Sequence, residues 1–291
     1  MMEPKFRFRF IAAPADLAPY VNTLFVFETD EERLDDILPA YSAQMIAFGC
    51  GEARMQFAPT ELVRSSSAFF VTPMQQAAPF SMKGPVRACG VSLTAEGWAA
   101  VSGLPVDRFG HRKMEAAEVL GDALAGKLAA TGKAYAEGSC DANGASERLV
   151  EIVRQSVRPL LPAHSAFIAT MLAWLGSDFS PLMPELVAKA RLSERQIQRL
   201  SNRYFGKPPA RLVRRYRAIR AATFLSQPEL RRQYQDEVIA AFFDQAHMIR
   251  EIRLFTGRTP SHLGHAPSVT SDTLGPDGYG VIDLFGATHG S

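Results

Sequence analysis

In the stretch ERQIQRLSNRYF, Arg195, Gln198, Arg199, Asn202 and Arg203 recur at three- and four-residue spacing, out of phase with Ile197, Leu200 and Tyr204. On a helix of 3.6 residues per turn that spacing gives one apolar face and one face of guanidinium and amide groups. A guanidinium fork pairs with the O6 and N7 of guanine, a side-chain amide pairs with adenine, and spare cations reach phosphates. Ser193 stands where it can cap the helix by accepting from an orphan backbone N–H. Upstream, PELVAKA carries a short apolar stripe of Leu186, Val187 and Ala190, followed by the turn RLS. A short helix, a tight turn and an amphipathic second helix form the unit that lays its second helix in a DNA major groove. DEVIAAFFDQAHMIREIRLFTGRTP repeats the plan, with Val238, Ile239, Phe242, Met248, Ile252 and Phe255 as its expected core. Gln245, His247, Arg250 and Arg253 are left for contact.

Between the two units runs a basic helix with Arg211, Arg214, Arg215, Arg217 and Arg220, which we expect to hold phosphates and fix register, together with Arg203 and Arg253. Residues 183–260 hold 16 Lys/Arg against 7 Asp/Glu, about +9, whereas the whole chain is +2 and the remainder therefore about −7. A basic module on an acidic remainder is the electrostatic footprint of a nucleic-acid binder confined to one part of the chain.

LSERQIQRLSNRYFGKPPARLVRRYRAIRAATFL and FFDQAHMIREIRLFTGRTPSHL resemble the two halves of the AraC-type transcription-regulator DNA-binding domain. The resemblance rests on Ser193, Phe205, Gly206, Pro209, Phe242, Asp244, Gln245, Gly257, Thr259 and Pro260, and covers about 80 residues. It implies base-reading roles for Arg195, Gln198 and Arg199 in the first helix and for Gln245, Ala246, His247 and Arg250 in the second. Asn202 joins the first set by its place on the polar face. Three positions depart from the family pattern. The usual turn glycines are Arg191 and Ala241, the usual small residue early in the second unit is Glu237, and Ala246 is too short to hydrogen-bond a base.

Other chemistries find less support. His247 as a catalytic base would need a nucleophile and an orienting carboxylate, and Asp244 stands where a helix cap is wanted. GxSxG, HExxH and GxxxxGK[ST] do not occur. Cys50, Cys89 and Cys140 form neither CxxC nor an even set, so no disulfide framework, zinc site or other metal site is expected. His111, His164, His262 and His265 are scattered, and Arg7, Arg9, Arg54 and Arg87 fit exposed strand positions better than an anion pocket. FGCGE, around Gly49–Gly51, reads as a turn between strands. No enzyme and no cofactor are expected. The alternative is a DNA-modifying enzyme that borrows the same module, against which three dispersed cysteines speak.

The elements that must position these helices are of two kinds. Up to about residue 93 the chain alternates like strands. Phe6, Phe8 and Phe10 interleave with Arg7 and Arg9, and further runs are Leu24–Glu28, Gln44–Phe48, Arg54–Phe57, Ala68–Val71, Phe80–Met82 and Val86–Leu93. Many short strands suggest an antiparallel barrel or sandwich, and the family resemblance implies a cupin-like sensing domain there. From Ala95 the period becomes helical, over Ala95–Ser102, Glu115–Ala130, Ser146–Val157 and Ser165–Leu175, with Gly132–Gly144 as the expected loop or hinge. The expected class is therefore α+β, a β-rich cupin-like or barrel N-terminal domain followed by an all-α C-terminal domain with two helix-turn-helix units. The expected division is 1–160 for sensing or dimerisation with trailing helices, 161–265 for DNA binding, and 266–291 as a loosely ordered tail, of which Tyr279–Phe285 could dock on a domain surface.

The apolar stripes Leu149, Ile152, Val153, Val157 and Phe167, Met171, Leu172, Leu175 suit either core packing or a homodimer. The chain is read as a cytoplasmic regulator of transcription, since no apolar run approaches the ~20 residues of a membrane span and MMEPKFRFRF lacks a secretory apolar region. Double-stranded DNA is its expected partner. RNA polymerase, a small-molecule effector in the N-terminal domain and a second copy of the chain stay open, as does activation against repression. An N-terminal domain that serves only protein interaction is the remaining alternative.

Overall fold

The computed structural model describes residues 5–263 and 268–274. Among the described residues eight strands form one antiparallel sheet: β1 (Arg7–Ala12), β2 (Val21–Thr29), β3 (Arg33–Leu38), β4 (Gln44–Ala58), β5 (Glu61–Arg64), β6 (Ala68–Val71), β7 (Ala78–Leu93) and β8 (Lys113–Glu115). The order is β1-β2-β7-β4-β6-β8, with β3 also on β7 and β5 also on β4. The two long strands carry the sheet. β7 pairs with β2 over Val86–Leu93 and with β3 over Ala78–Lys83, while β4 lies along its other edge. The register of β4 against β7 shifts around Cys50, where Gly51 adopts a positive φ. FGCGE is thus a bulge inside a continuous strand and not the turn expected from the sequence. A bulge bends a strand without ending it, and the sheet curls round a phenylalanine-rich interior.

Twelve helices are described: α1 (Ala95–Ser102), α2 (Val106–Phe109), α3 (Ala116–Leu120), α4 (Asp122–Ala136), α5 (Ala142–Ser156), α6 (Pro162–Ser177), α7 (Met183–Ala190), α8 (Glu194–Phe205), α9 (Pro209–Ser226), α10 (Pro228–Ala240), α11 (Gln245–Thr256) and α12 (Val269–Leu274). The loop or hinge expected at Gly132–Gly144 is shorter than that, residues 137–141 between α4 and α5, with Gly138 at positive φ. Gly132 lies inside α4, pressed against the Ala47–Phe48 backbone of β4, and a Cβ at Gly132 would sit 2.8 Å from the Ala47 carbonyl carbon. The glycine serves close helix–sheet approach instead of flexibility.

Period-two alternation sends side chains to both faces of the sheet, and each face has its own core. Leu24, Val26, Met45, Cys89 and Val91 pack outward against Trp98, Leu128, Leu149, Ile152 and Val153 of α1, α4 and α5. Phe27, Phe48, Phe69 and Phe80 point inward, and that core continues without a break into Phe167, Trp174, Leu186, Ile197, Leu212 and Ile252 of the C-terminal helices. Both apolar stripes considered for a homodimer are therefore used within this chain. The tail is not loosely ordered throughout. Residues 269–274 form α12, whose Val269, Thr270, Thr273 and Leu274 are buried. Tyr279–Phe285 lie outside the described residues.

Candidate nucleic-acid interface

The first helix-turn-helix is α7, a turn and α8. Ser193 and Gln196 form a reciprocal capping box, the Ser193 hydroxyl accepting from the Gln196 N–H and the Gln196 amide oxygen accepting from the Ser193 N–H at 3.0 Å. Arg191 holds the turn at φ 53°, the left-handed conformation usually left to glycine. Leu186, Ile197, Leu200, Tyr204 and Phe205 are buried, and the Tyr204 hydroxyl meets His164 Nδ1 of α6 at 2.7 Å. On the opposite face Arg195, Gln198, Arg199 and Arg203 are exposed and Asn202 is half-buried.

The second unit is α10, a turn and α11. Asp244 caps α11, its carboxylate accepting from the His247 N–H at 2.6 Å. Ala241 stays right-handed at φ −71°, so this turn differs in shape from the first. Val238, Phe242, Ile252 and Phe255 are buried and Met248 is partly buried, but Ile239, expected in the core, is 55% exposed. α10 begins at Pro228, which places Glu237 well inside the helix on its exposed side. Gln245, Ala246, Arg250 and Arg253 are exposed, and His247 is half-buried.

α9 joins the two units, but its arginines do not all face solvent. Arg220 is 8% exposed, donates to the Gly176 carbonyl and lies over the Phe179 ring, so it is withdrawn from the phosphate set. Burial lowers its pKa, with the charge of Asp178 opposing. Arg217 stacks 5.1 Å over Phe242 and donates to Glu251 at 2.9 Å, and Arg214 donates to the same carboxylate at 2.5 Å. His247 Nε2 lies 3.2 Å from it. Glu251 is 2% exposed and anchors this network. Burial pushes its carboxyl up, and the hydrogen bonds from Arg214 and Arg217 outweigh that and hold it below the usual range. Arg217 is thus a packing residue, and Arg214 is shared between the network and solvent. Arg215 donates to the Met74 carbonyl at 3.1 Å. Arg203, Arg211 and Arg253 remain exposed.

Both contact helices are held from behind. α8 and α11 each end on a left-handed glycine, Gly206 and Gly257, and each glycine lies against the β-rich half. A Cβ on Gly206 would run into Gln75, and one on Gly257 into Ile37. The last carbonyls of a helix lack partners of their own, and the β-rich half supplies them. Gln75 donates to the Phe205 carbonyl at 3.4 Å, Ala77 N–H to Leu254 at 3.0 Å and Ala40 N–H to Phe255 at 2.7 Å. Asp36 of β3 pairs with Arg258 and accepts from the Val269 N–H at 2.8 Å. None of these clamp residues stands out in the sequence. Glu251 alone left a signal there, as a lone acid four residues after His247 in a basic segment.

Elsewhere the side chains are occupied locally. Arg7 pairs with Glu28, Arg54 with Glu52 and Arg87 with Asp30, while Arg9 reaches Asn143. Burial first, and Cys140 nearby, push the Cys89 thiol up to about 12, which unsuits it as a nucleophile. Cys50 and Cys140 are free and half-buried. His262 meets the Thr259 hydroxyl at 2.7 Å, and His265 lies outside the described residues. Among the described residues no three His, Cys, Asp or Glu side chains come together as metal ligands, and no helix is long and apolar enough to cross a membrane.

Residues 186–265 match a family model described as a helix-turn-helix domain. No curated protein sequence matches the chain. Among solved structures it is similar to ToxT from Vibrio cholerae O395, at 8% identity and a TM-score of 0.44, over 97% of this chain and 99% of that one. It is also similar to the AraC-like transcriptional activator CuxR, at 13% identity and a TM-score of 0.31, over 75% of this chain and 87% of that one.

Proposed function

We propose that the chain, whose residues 186–265 match a helix-turn-helix domain, is a DNA-binding transcription regulator of AraC type in which α8 and α11 read adjacent major-groove segments on one face of the duplex, about 34 Å apart. One observation carries the reading. Each helix buries an apolar face against its own unit and leaves amide and guanidinium groups outside, and both units are fixed to α9. The base-reading set is Arg195, Gln198, Arg199 and Asn202 from α8, with Gln245, Ala246, His247 and Arg250 from α11. Arg203, Arg211, Arg215 and Arg253 serve phosphates, and Arg214 does so only when it leaves Glu251. The division of the chain near residue 160 is kept as a functional one, with a core that runs across it. Selection of bound sequences from random DNA by the full chain tests the reading, and failure to enrich any sequence would overturn it.

Control by a small ligand has one observation in its favour. An apolar cavity of about 60 Å³ lies inside the sheet between Phe8, Phe25, Phe27, Phe48, Phe69 and Phe80, with Val269 of α12 on its wall. Metabolite pockets measure roughly 300–1,000 Å³, so an effector needs the cavity to widen, and α12, with Val269 on its wall, is the element proposed to withdraw. Since α12 is tied through Asp36 to the end of the DNA-binding half, withdrawal would loosen the hold on α11. A thermal-shift screen of the full chain against cell metabolites tests this, and the absence of any stabilising compound leaves the β-rich half as an interaction module.

A further inference from the structure

Phe243 is 92% exposed, more than any other large apolar side chain among the described residues. It directly precedes Asp244, the cap of α11, and Ala246 in the first turn of α11 is exposed as well. In a helix-turn-helix the N-terminal residues of the second helix are those that meet base edges. At that end of α11 the polar readers are few. Glu251 engages His247, Arg214 and Arg217, and the exposed polar groups are Asp244, whose carboxylate is taken up in capping the helix, Gln245 and Arg250, with Arg253 a turn further on. The 5-methyl group of thymine is the one apolar feature that a base presents in the major groove, and Ala and Phe side chains are among those that contact it. Exposed Arg250 and Arg253 beside the apolar pair select an anionic polymer over an uncharged apolar partner.

We propose that the second unit reads thymine by apolar contact, with Phe243 and Ala246 packing on thymine methyl groups where the first unit reads by hydrogen bonds. The assignment rests on the DNA-binding reading. It makes Phe243 a specificity residue and accounts for Ala246 in the position of a base reader that cannot hydrogen-bond. Removing one methyl from such a contact weakens binding about fourfold, from the transfer free energy of one methylene.

The test uses the full chain and its selected DNA site, with each thymine replaced in turn by deoxyuridine. One or two replacements, confined to the half bound by the second unit, are expected to weaken binding about fourfold each. Replacements in the half read by Arg195, Gln198 and Arg199 are expected to be silent. In Phe243→Ala the penalty at the affected thymine should vanish, and Phe243→Leu should retain part of it. Deoxyuridine tolerated at every position, or an unchanged penalty in Phe243→Ala, overturns the proposal. So does a Phe243→Ala variant that binds DNA normally but self-associates less, because Phe243 would then face a second copy. Failure of the unmodified site to bind at all sinks the DNA-binding reading itself, a separate outcome.

Discussion

An exposed arginine on α8 and a buried glutamate on α11 make opposite demands on water, and each has its own test. Arg199 is solvated in the free protein, so its substitution leaves the fold alone and removes only what it contributes on DNA. Arg199→Ala should weaken binding to the selected site by about 1–3 kcal/mol and relax preference at one base pair. Equal losses on selected and random DNA, measured by titration, would remove Arg199 from the base-reading set. Glu251 is the reverse case. Its partners Arg214, Arg217 and His247 are arranged round a carboxylate that water hardly reaches. Taking one partner from a buried ion network costs about 3 kcal/mol, so Glu251→Gln should lower the unfolding free energy by about that amount at neutral pH. The folded-state pKa of Glu251 lies below its ordinary 4.5. The stability it contributes is therefore present above that value and lost as pH falls through the folded pKa. Denaturant unfolding of both proteins should show their gap closing on acidification below about pH 4.5. A gap constant from pH 7 to pH 3 would mean that Glu251 is not ionised in the network.

At the scale of elements, the ends of α8 and α11 matter as much as their faces. Gly257 must be left-handed to close α11, and its α-carbon rests on Ile37 of β3. Gly257→Ala should cost about 2 kcal/mol, from strain at positive φ together with overpacking. Trimming Ile37 to Ala in the same chain should restore only the packing part. Full additivity of the two substitutions in thermal unfolding would show that the two do not touch. The contact explains what the sequence concealed. α8 was legible because Ser193, Ile197, Leu200 and Tyr204 announce a capped amphipathic helix within a dozen residues. α1 was legible over its full length for the same reason. β3 was not, because RLDDIL carries acids on both faces, and Asp36 points inward only to meet Arg258 and the Val269 N–H from more than two hundred residues away. Arg220 was misplaced by the converse ambiguity. An arginine on a basic helix looks solvated until its long stem is seen to reach Gly176 in the interior. Gly132 read as a hinge because composition cannot distinguish a glycine that bends from one that lets a strand come close.

Over the whole molecule, charge decides how DNA is met. The segment 183–260 carries about +9 in formal charge, yet part of that charge is already spent inside the protein. Arg220 is buried, Arg217 is packed on Phe242, and Arg214 is shared with Glu251. Arg203, Arg211 and Arg253 stay exposed and Arg215 half-exposed, so phosphate contacts should number about four rather than the seven that the sequence presents. Each phosphate neutralised releases condensed counterions, and the slope of log affinity against log salt is then about −4. The remainder of the chain, at about −7, adds no attraction and keeps the duplex to the basic face. Glu251→Gln removes the buried anion that holds Arg214 and Arg217, and a slope that steepens by about one unit in this variant would show that the network withholds cations from the backbone. Titrations of the full chain on random DNA over a range of salt provide both numbers. A wild-type slope near zero would mean that the basic segment does not serve DNA, whereas a slope of −4 unchanged by Glu251→Gln would mean that Arg214 and Arg217 stay packed without their carboxylate and act only in the fold.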